Sequence, residues 1–154
     1  MLDGMGENAE RLFQEYRERL IGRPVTFTRL AANSLLVYID GEPGSGTGLT
    51  FWFEPTWHLL GPAGVLLGSR QAQTEDAENH SRLSDLPLKL FQKKVEEVSV
   101  SPITHDIHVL FEGAYAIATF VSDPTDVESW HIRDNQTKQR VVGCAKGLRV
   151  TEVE

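Results

Sequence analysis

The residues whose types and spacing could do chemistry are five histidines, one cysteine and one glycine-rich run. His105 and His108 stand in "HDIH", a spacing that on a helix would put two imidazoles on one face. The run from Asp106 to Phe111 alternates like a strand, however, and on a strand those rings point to opposite sides. No cysteine pair and no further histidine lies close by, so no metal site is expected. "GEPGSGTGLTF" (41–51) lacks a lysine after its glycines and leads into a strand. Phosphate cradles need a helix start at that point, so the run reads as a hairpin loop. Cys144 is alone, which excludes an internal disulfide framework, and it reads as a small buried apolar residue. Serines, histidines and aspartates are present without a nucleophile elbow such as G-x-S-x-G. The carboxylates of "EDAE" (75–78) and the terminal "EVE" read as solvated charge. No catalytic residue and no cofactor is expected.

Positioning these side chains falls to a pattern that runs through the chain twice. Residues 8–21 predict a helix with Leu12, Phe13, Tyr16 and Leu20 on one stripe, Asn8 as its cap and Gly22 just past its end. The period then changes to two, with strand-like runs at 25–30, 35–39, 49–53, 57–60 and 65–67 separated by turn residues. Residues 70–83 are polar and aperiodic and read as a linker. A second helix is predicted over 84–94, followed by strands at 95–100, 106–111, 115–120, 129–133, 140–144 and 148–153. Tyr16, Leu20, Ile21 and Val25 match Leu86, Leu90, Phe91 and Val95 at a spacing of 70 residues. Leu35, Val37, Ile39 and Gly41 match Ile107, Val109, Phe111 and Gly113 at 72, and Gly68 matches Gly143 at 75. Between these sets, Trp57-His58 of "PTWHLLG" matches Trp130-His131 of "ESWHIRD" at 73. Strand alternation places the two indoles inside and sends the two imidazoles to the other face. The expected fold is α+β, one domain over 1–154 with a pseudo-repeat of 8–69 and 84–144. Each half would carry one helix and a four- or five-stranded antiparallel meander, packed as a barrel-like or sandwiched sheet with the helices outside.

The layout "LIGRPV", "VYIDG", "TWHLLGPAG" and then "LFQKKV", "VLFEG", "SWHIRD" resembles a family of small, mostly bacterial domains of unknown function. The resemblance spans roughly residues 10–145. It implies a duplicated helix-plus-meander unit and, for some members, a role as immunity partners in toxin systems.

Composition narrows the function further. The chain has 154 residues, a formal net charge of −7 and a sequence pI near 5.2, a balance that argues against nucleic-acid binding. No run approaches a membrane span, and "MLDGMGENAE" lacks the basic start and apolar run of a signal peptide, so a cytoplasmic location is expected. The expected function is binding of another protein, in the form of an immunity-type inhibitor, with a basic protein as partner. Expected contact residues are Trp52 and Tyr38 with the acidic loop residues Glu75, Asp76 and Glu78. The second reading is a small-ligand or catalytic site between the halves that uses His58 and His131. The third is a homodimer formed through a sheet edge; otherwise the protein is a monomer.

Overall fold

The computed structural model describes residues 3–121 and 127–152, with side chains from residue 6 onward. Helix α1 (Asp3–Leu20) buries Ala9, Phe13, Tyr16 and Leu20, one side chain per turn. It begins before Asn8, so that residue is no cap; its Oδ1 accepts from Arg11 at 3.4 Å. Gly22 takes the left-handed position (φ 83°) after the helix, as its place predicts. The strands that follow are β1 (Val25–Ala31), β2 (Ser34–Ile39), β3 (Leu49–Phe53), β4 (Trp57–Gly61) and β5 (Gly64–Gly68). After the helical stretch come β6 (Val95–Val100), β7 (Ile107–Phe111), β8 (Tyr115–Thr119), β9 (Glu128–Asp134), β10 (Gln139–Cys144) and β11 (Gly147–Glu152). Val153 and Glu154 of the predicted last strand and terminal acidic run lie outside the described residues.

Two expectations fail between the halves. Residues 70–83 are no bare linker: they form α2 (Ser69–Ala72) and α3 (Ala77–Ser84). Asp76 caps α3 by accepting from the N–H groups of Glu78 and Asn79, and Ala72 and Leu83 are buried in the core. The helix predicted over 84–94 shrinks to a 3-10 turn at Leu86–Leu90. Pro87 stands in its first turn, where the missing N–H has no helical acceptor to lose.

The sheets are a larger one, in the order β1-β2-β3-β9-β10-β11, and a smaller one, in the order β5-β4-β8-β7-β6. All pairings between these strands are antiparallel. The architecture is α+β with two open antiparallel sheets, so the barrel-like alternative falls away. Neither half keeps its expected four- or five-stranded meander in one sheet; each retains three consecutive strands together and sends a hairpin to the other sheet. The first half gives β1–β3 to the larger sheet and its closing hairpin β4–β5 to the smaller one. The second gives β6–β8 to the smaller sheet and β9–β10 to the larger one. One hydrophobic cluster holds residues of both halves and both sheets, among them Leu20, Val37, Phe51, Leu59, Val95, Phe111 and Ile132. The helices do not lie outside this sandwich. Helix α1 packs on β10, β11 and β6, while α2 packs on β5 and β2 and the 3-10 turn on β1, so helical segments close the gaps between sheet edges.

Local details correspond in the two halves. A β-bulge sits between Val25 and Phe27 against β2 and another between Val95 and Glu97 against β7. Gly22 N–H donates to Val95 O at 2.7 Å and Gln92 N–H to Val25 O at 2.8 Å; Val25 N–H donates to Lys93 O and Val95 N–H to Arg23 O, each at 2.9 Å. Trp57 and Trp130 are both fully buried, as their alternation predicts. Each indole N–H donates to a backbone carbonyl at 2.8 Å, of Asn33 for Trp57 and of His105 for Trp130. The matching of Gly68 with Gly143 does not survive: Gly68 lies opposite His58, whereas Gly143 lies opposite Trp130. A Cβ on Gly143 would meet Cε2 and Nε1 of that indole at 2.1 Å.

Two stability outcomes follow. Gly143→Ala must displace a buried ring that cannot swing aside, and is expected to lower unfolding free energy by about 3 kcal/mol in urea titration. Thr28 faces the core beside Val37, and its buried Oγ1 has no hydrogen-bond partner. Val98 fills the corresponding place on β6, next to Val109. Thr28→Val is therefore expected to raise stability by about 1 kcal/mol in the same titration.

Candidate functional site

Side chains that alternate away from the core form the outer faces of the two sheets, and these faces differ in chemistry. On the larger sheet, the register aligns Phe27, Tyr38, Thr50, Arg133, Arg140 and Thr151 in one row. The adjacent row holds Arg29, Leu36, Trp52, His131, Val142 and Arg149. Neither row contains a carboxylate. Leu36, Tyr38, His131 and Val142 are buried although they face outward. Trp52 stacks on His131 with centroids 5.5 Å apart and planes 21° apart, and Phe27 meets Tyr38 edge-on at 5.5 Å.

The carboxylates nearest these rows are engaged at one end of the face. Glu54 accepts from the Trp52 indole and from Ser34 Oγ, while Glu128 Oε2 lies 2.8 Å from His131 Nδ1. Arg133 and Arg140 are direct cross-strand partners toward the other end. Arg133 Nε donates to Oδ1 of buried Asn135 at 3.2 Å, and Arg140 Nε donates to Thr151 Oγ1 at 3.0 Å.

On the smaller sheet, one outer row is Val65, Leu60, Ala116, Leu110 and Glu97, and the next is Gly68, His58, Ala118, His108 and Ser99. Val65 is 64% exposed, Leu110 37%, and Phe120, beside His58, 46%. An antiparallel sheet face in water ordinarily carries polar side chains at such positions. The His58 ring tilts against Phe120 at 5.0 Å. Burial, and to a lesser extent the neighbouring His108, holds the His58 imidazole below its ordinary value.

A third feature is an open groove of about 1360 Å³ between α1, β6 and β11. Its charged walls are partly neutralised, since Arg17 pairs with Glu97 at 2.5 Å. The Arg17 hydrogen bond, helped by the Val98 N–H, keeps the Glu97 carboxyl below the usual range. Nearby, Tyr16 OH donates to Gln139 O at 2.8 Å; burial and then the Asp134 charge push its pKa up to about 12. Burial alone would raise the Asp134 carboxyl, yet hydrogen bonds from Arg19 and from the N–H groups of Gln136 and Thr137 together bring it down.

The residues singled out from the sequence scatter over this surface. Trp52, Tyr38 and His131 do come together, on the larger sheet's outer face, where Trp52 is half-exposed. His58 lies on the other sheet, with the core between it and His131, so the two imidazoles share no cavity and the reading of a site between the halves loses its residues. Asp76 is occupied as a helix cap, while Glu75 and Glu78 are exposed beside it. The histidines of "HDIH" part company: His105 sits in the loop before β7 with Nδ1 3.1 Å from Ala145 O, while His108 is exposed on the strand. Among the described residues no group of three or more potential metal ligands comes together, and no serine or cysteine hydrogen-bonds an imidazole. Sequence reasoning missed Arg29, Arg133, Arg140, Leu60 and Leu110. Alternation marks each as outward, but only the cross-strand register puts them in rows.

Comparison with family models, with curated proteins and with solved structures returns no match for this chain.

The His58 environment sets a pH dependence. A base with a lowered folded-state pKa binds its proton first in the unfolded chain, so stability falls as pH drops through the ordinary histidine value of 6.5. Urea midpoints measured above and below that value should show a loss on acidification that is smaller in His58→Gln than in the wild type.

Proposed function

We propose that this protein is a binding module that docks another protein on the outer face of the smaller sheet. One observation carries the reading: Val65, Leu60, Ala116 and Leu110 form a continuous apolar row across β5, β4, β8 and β7, with Phe120 exposed nearby. Apolar patches of this kind on a soluble surface mark contact sites, because covering them with a partner removes hydrocarbon from water. The net charge of −7 favours a partner of opposite sign at long range. In its specific form the reading is immunity-type inhibition of a bacterial toxin, the role implied by the family resemblance.

We further infer that the halves are copies of one ancestral unit. Support comes from the reciprocal exchange of hairpins, the paired bulges and the two indole-to-carbonyl bonds. On that reading the outer faces have diverged: Tyr38, Trp52 and Arg133 stand where the other half has Leu110, Ala118 and Leu60.

Affinity capture with the wild-type chain and with Leu60→Glu and Leu110→Glu tests the docking face. Both substitutions place a charge on an already exposed or half-exposed position, so thermal midpoints should stay close to the wild type. A protein retained by the wild type and lost by both variants is the expected result. An identical captured set for all three baits, or none, refutes the reading. A doubled mass in light scattering that both variants halve would identify the partner as a second copy.

A further inference from the structure

We infer that the outer face of the larger sheet is a second docking surface, built to take an acidic peptide segment. It rests on different residues from the apolar row and stands or falls independently of it. Arg133 and Arg140 lie directly opposite each other on neighbouring strands. Like charges in that relation destabilise a sheet, and the chain has 22 acidic residues that could have relieved the repulsion. Instead both rows of this face are free of carboxylates, and Arg29 adds a further guanidinium on an edge strand. Among the described residues the ion pairs involve Arg17, Arg19, Arg23 and His131, and none involves Arg29, Arg133 or Arg140.

The guanidiniums are also oriented. Asn135, itself buried, holds Arg133 through Nε, and Thr151 holds Arg140 through Nε. Both bonds go to neutral acceptors, so the charge is undiminished and the terminal N–H groups stay available for carboxylate oxygens. Beside them, half-exposed Trp52 and the exposed edge of Phe27 offer apolar contact. The site is spread along two rows that cross the sheet, which suits an extended chain better than a small anion.

A single-stranded nucleic acid would also meet arginines and aromatic rings here. The peptide is favoured on two grounds. Trp52 is already stacked on His131 and is not splayed for a base, and the overall charge of −7 repels a polyanion that extends beyond the strip.

The test uses the full chain and fluorescence anisotropy with two probes, a short labelled peptide of alternating glutamate and tyrosine and a labelled oligothymidylate. The peptide should bind saturably at low salt, more tightly than the oligonucleotide. Arg133→Gln with Arg140→Gln should weaken it about tenfold, as expected for two lost charge-assisted contacts. Lys89→Gln with Lys94→Gln changes the net charge equally at exposed positions away from this face and should leave the affinity unchanged. The arginine pair should keep the wild-type thermal midpoint, since it removes a repulsion; Arg29→Gln on the edge strand supplies an independent loss of affinity should the double variant fail to fold. No saturable peptide binding, an equal loss in the lysine control, or tighter binding of the oligonucleotide overturns the inference.

Discussion

Two indole rings tie the two sheets of the protein together. Trp57 belongs to a strand of the smaller sheet, yet its N–H reaches the carbonyl of Asn33 in the turn that joins β1 and β2 of the larger one. Trp130 makes the converse connection, from the larger sheet to His105 ahead of β7. A buried indole N–H left without an acceptor forfeits a hydrogen bond it would have had in water. Each ring therefore fixes the separation of the sheets as well as filling the space between them. The glycine under Trp130 belongs to the same arrangement, since its missing side chain is the volume that the ring occupies.

The strands were legible in the sequence because alternation and turn residues are local signals. Trp57 and Trp130 were correctly placed inside for that reason, and Gly22 correctly ended α1. What alternation does not encode is which strand pairs with which across the chain. The exchange of the β4–β5 and β9–β10 hairpins between sheets rests on pairings such as Phe53 with Trp130 and Thr119 with Trp57. Such pairings join residues far apart in sequence. The same limit hid the functional surfaces, since Arg133 and Arg140 look unremarkable until they stand side by side. The stretch 70–83 misled for another reason: its helices are short and polar, with Ser69 and Ala72 buried in the first and Leu83 in the second, too few positions to set a period.

The outer faces illustrate how one scaffold carries two chemistries. Inward positions are constrained by a shared core, where volume changes are costly. Outward positions have no such constraint, and there the larger sheet carries guanidinium and aromatic groups while the smaller carries aliphatic ones. Leu36 and Val142 are buried on the larger sheet's outer face although Arg29 and Arg149 stand opposite them in register.

The swapped hairpins bear on how such a chain is made. Synthesis delivers the first three-stranded meander and its hairpin before either has a neighbour to pair with, for β3 awaits β9 and β4 awaits β8. Until the later strands emerge, Phe51, Phe53 and Leu59 have only half a core to enter. Assembly through contacts so distant along the chain is slow relative to hairpin closure. The nascent polypeptide thus spends part of its elongation as an unfinished sandwich with open edges, completed only when the last strands reach it.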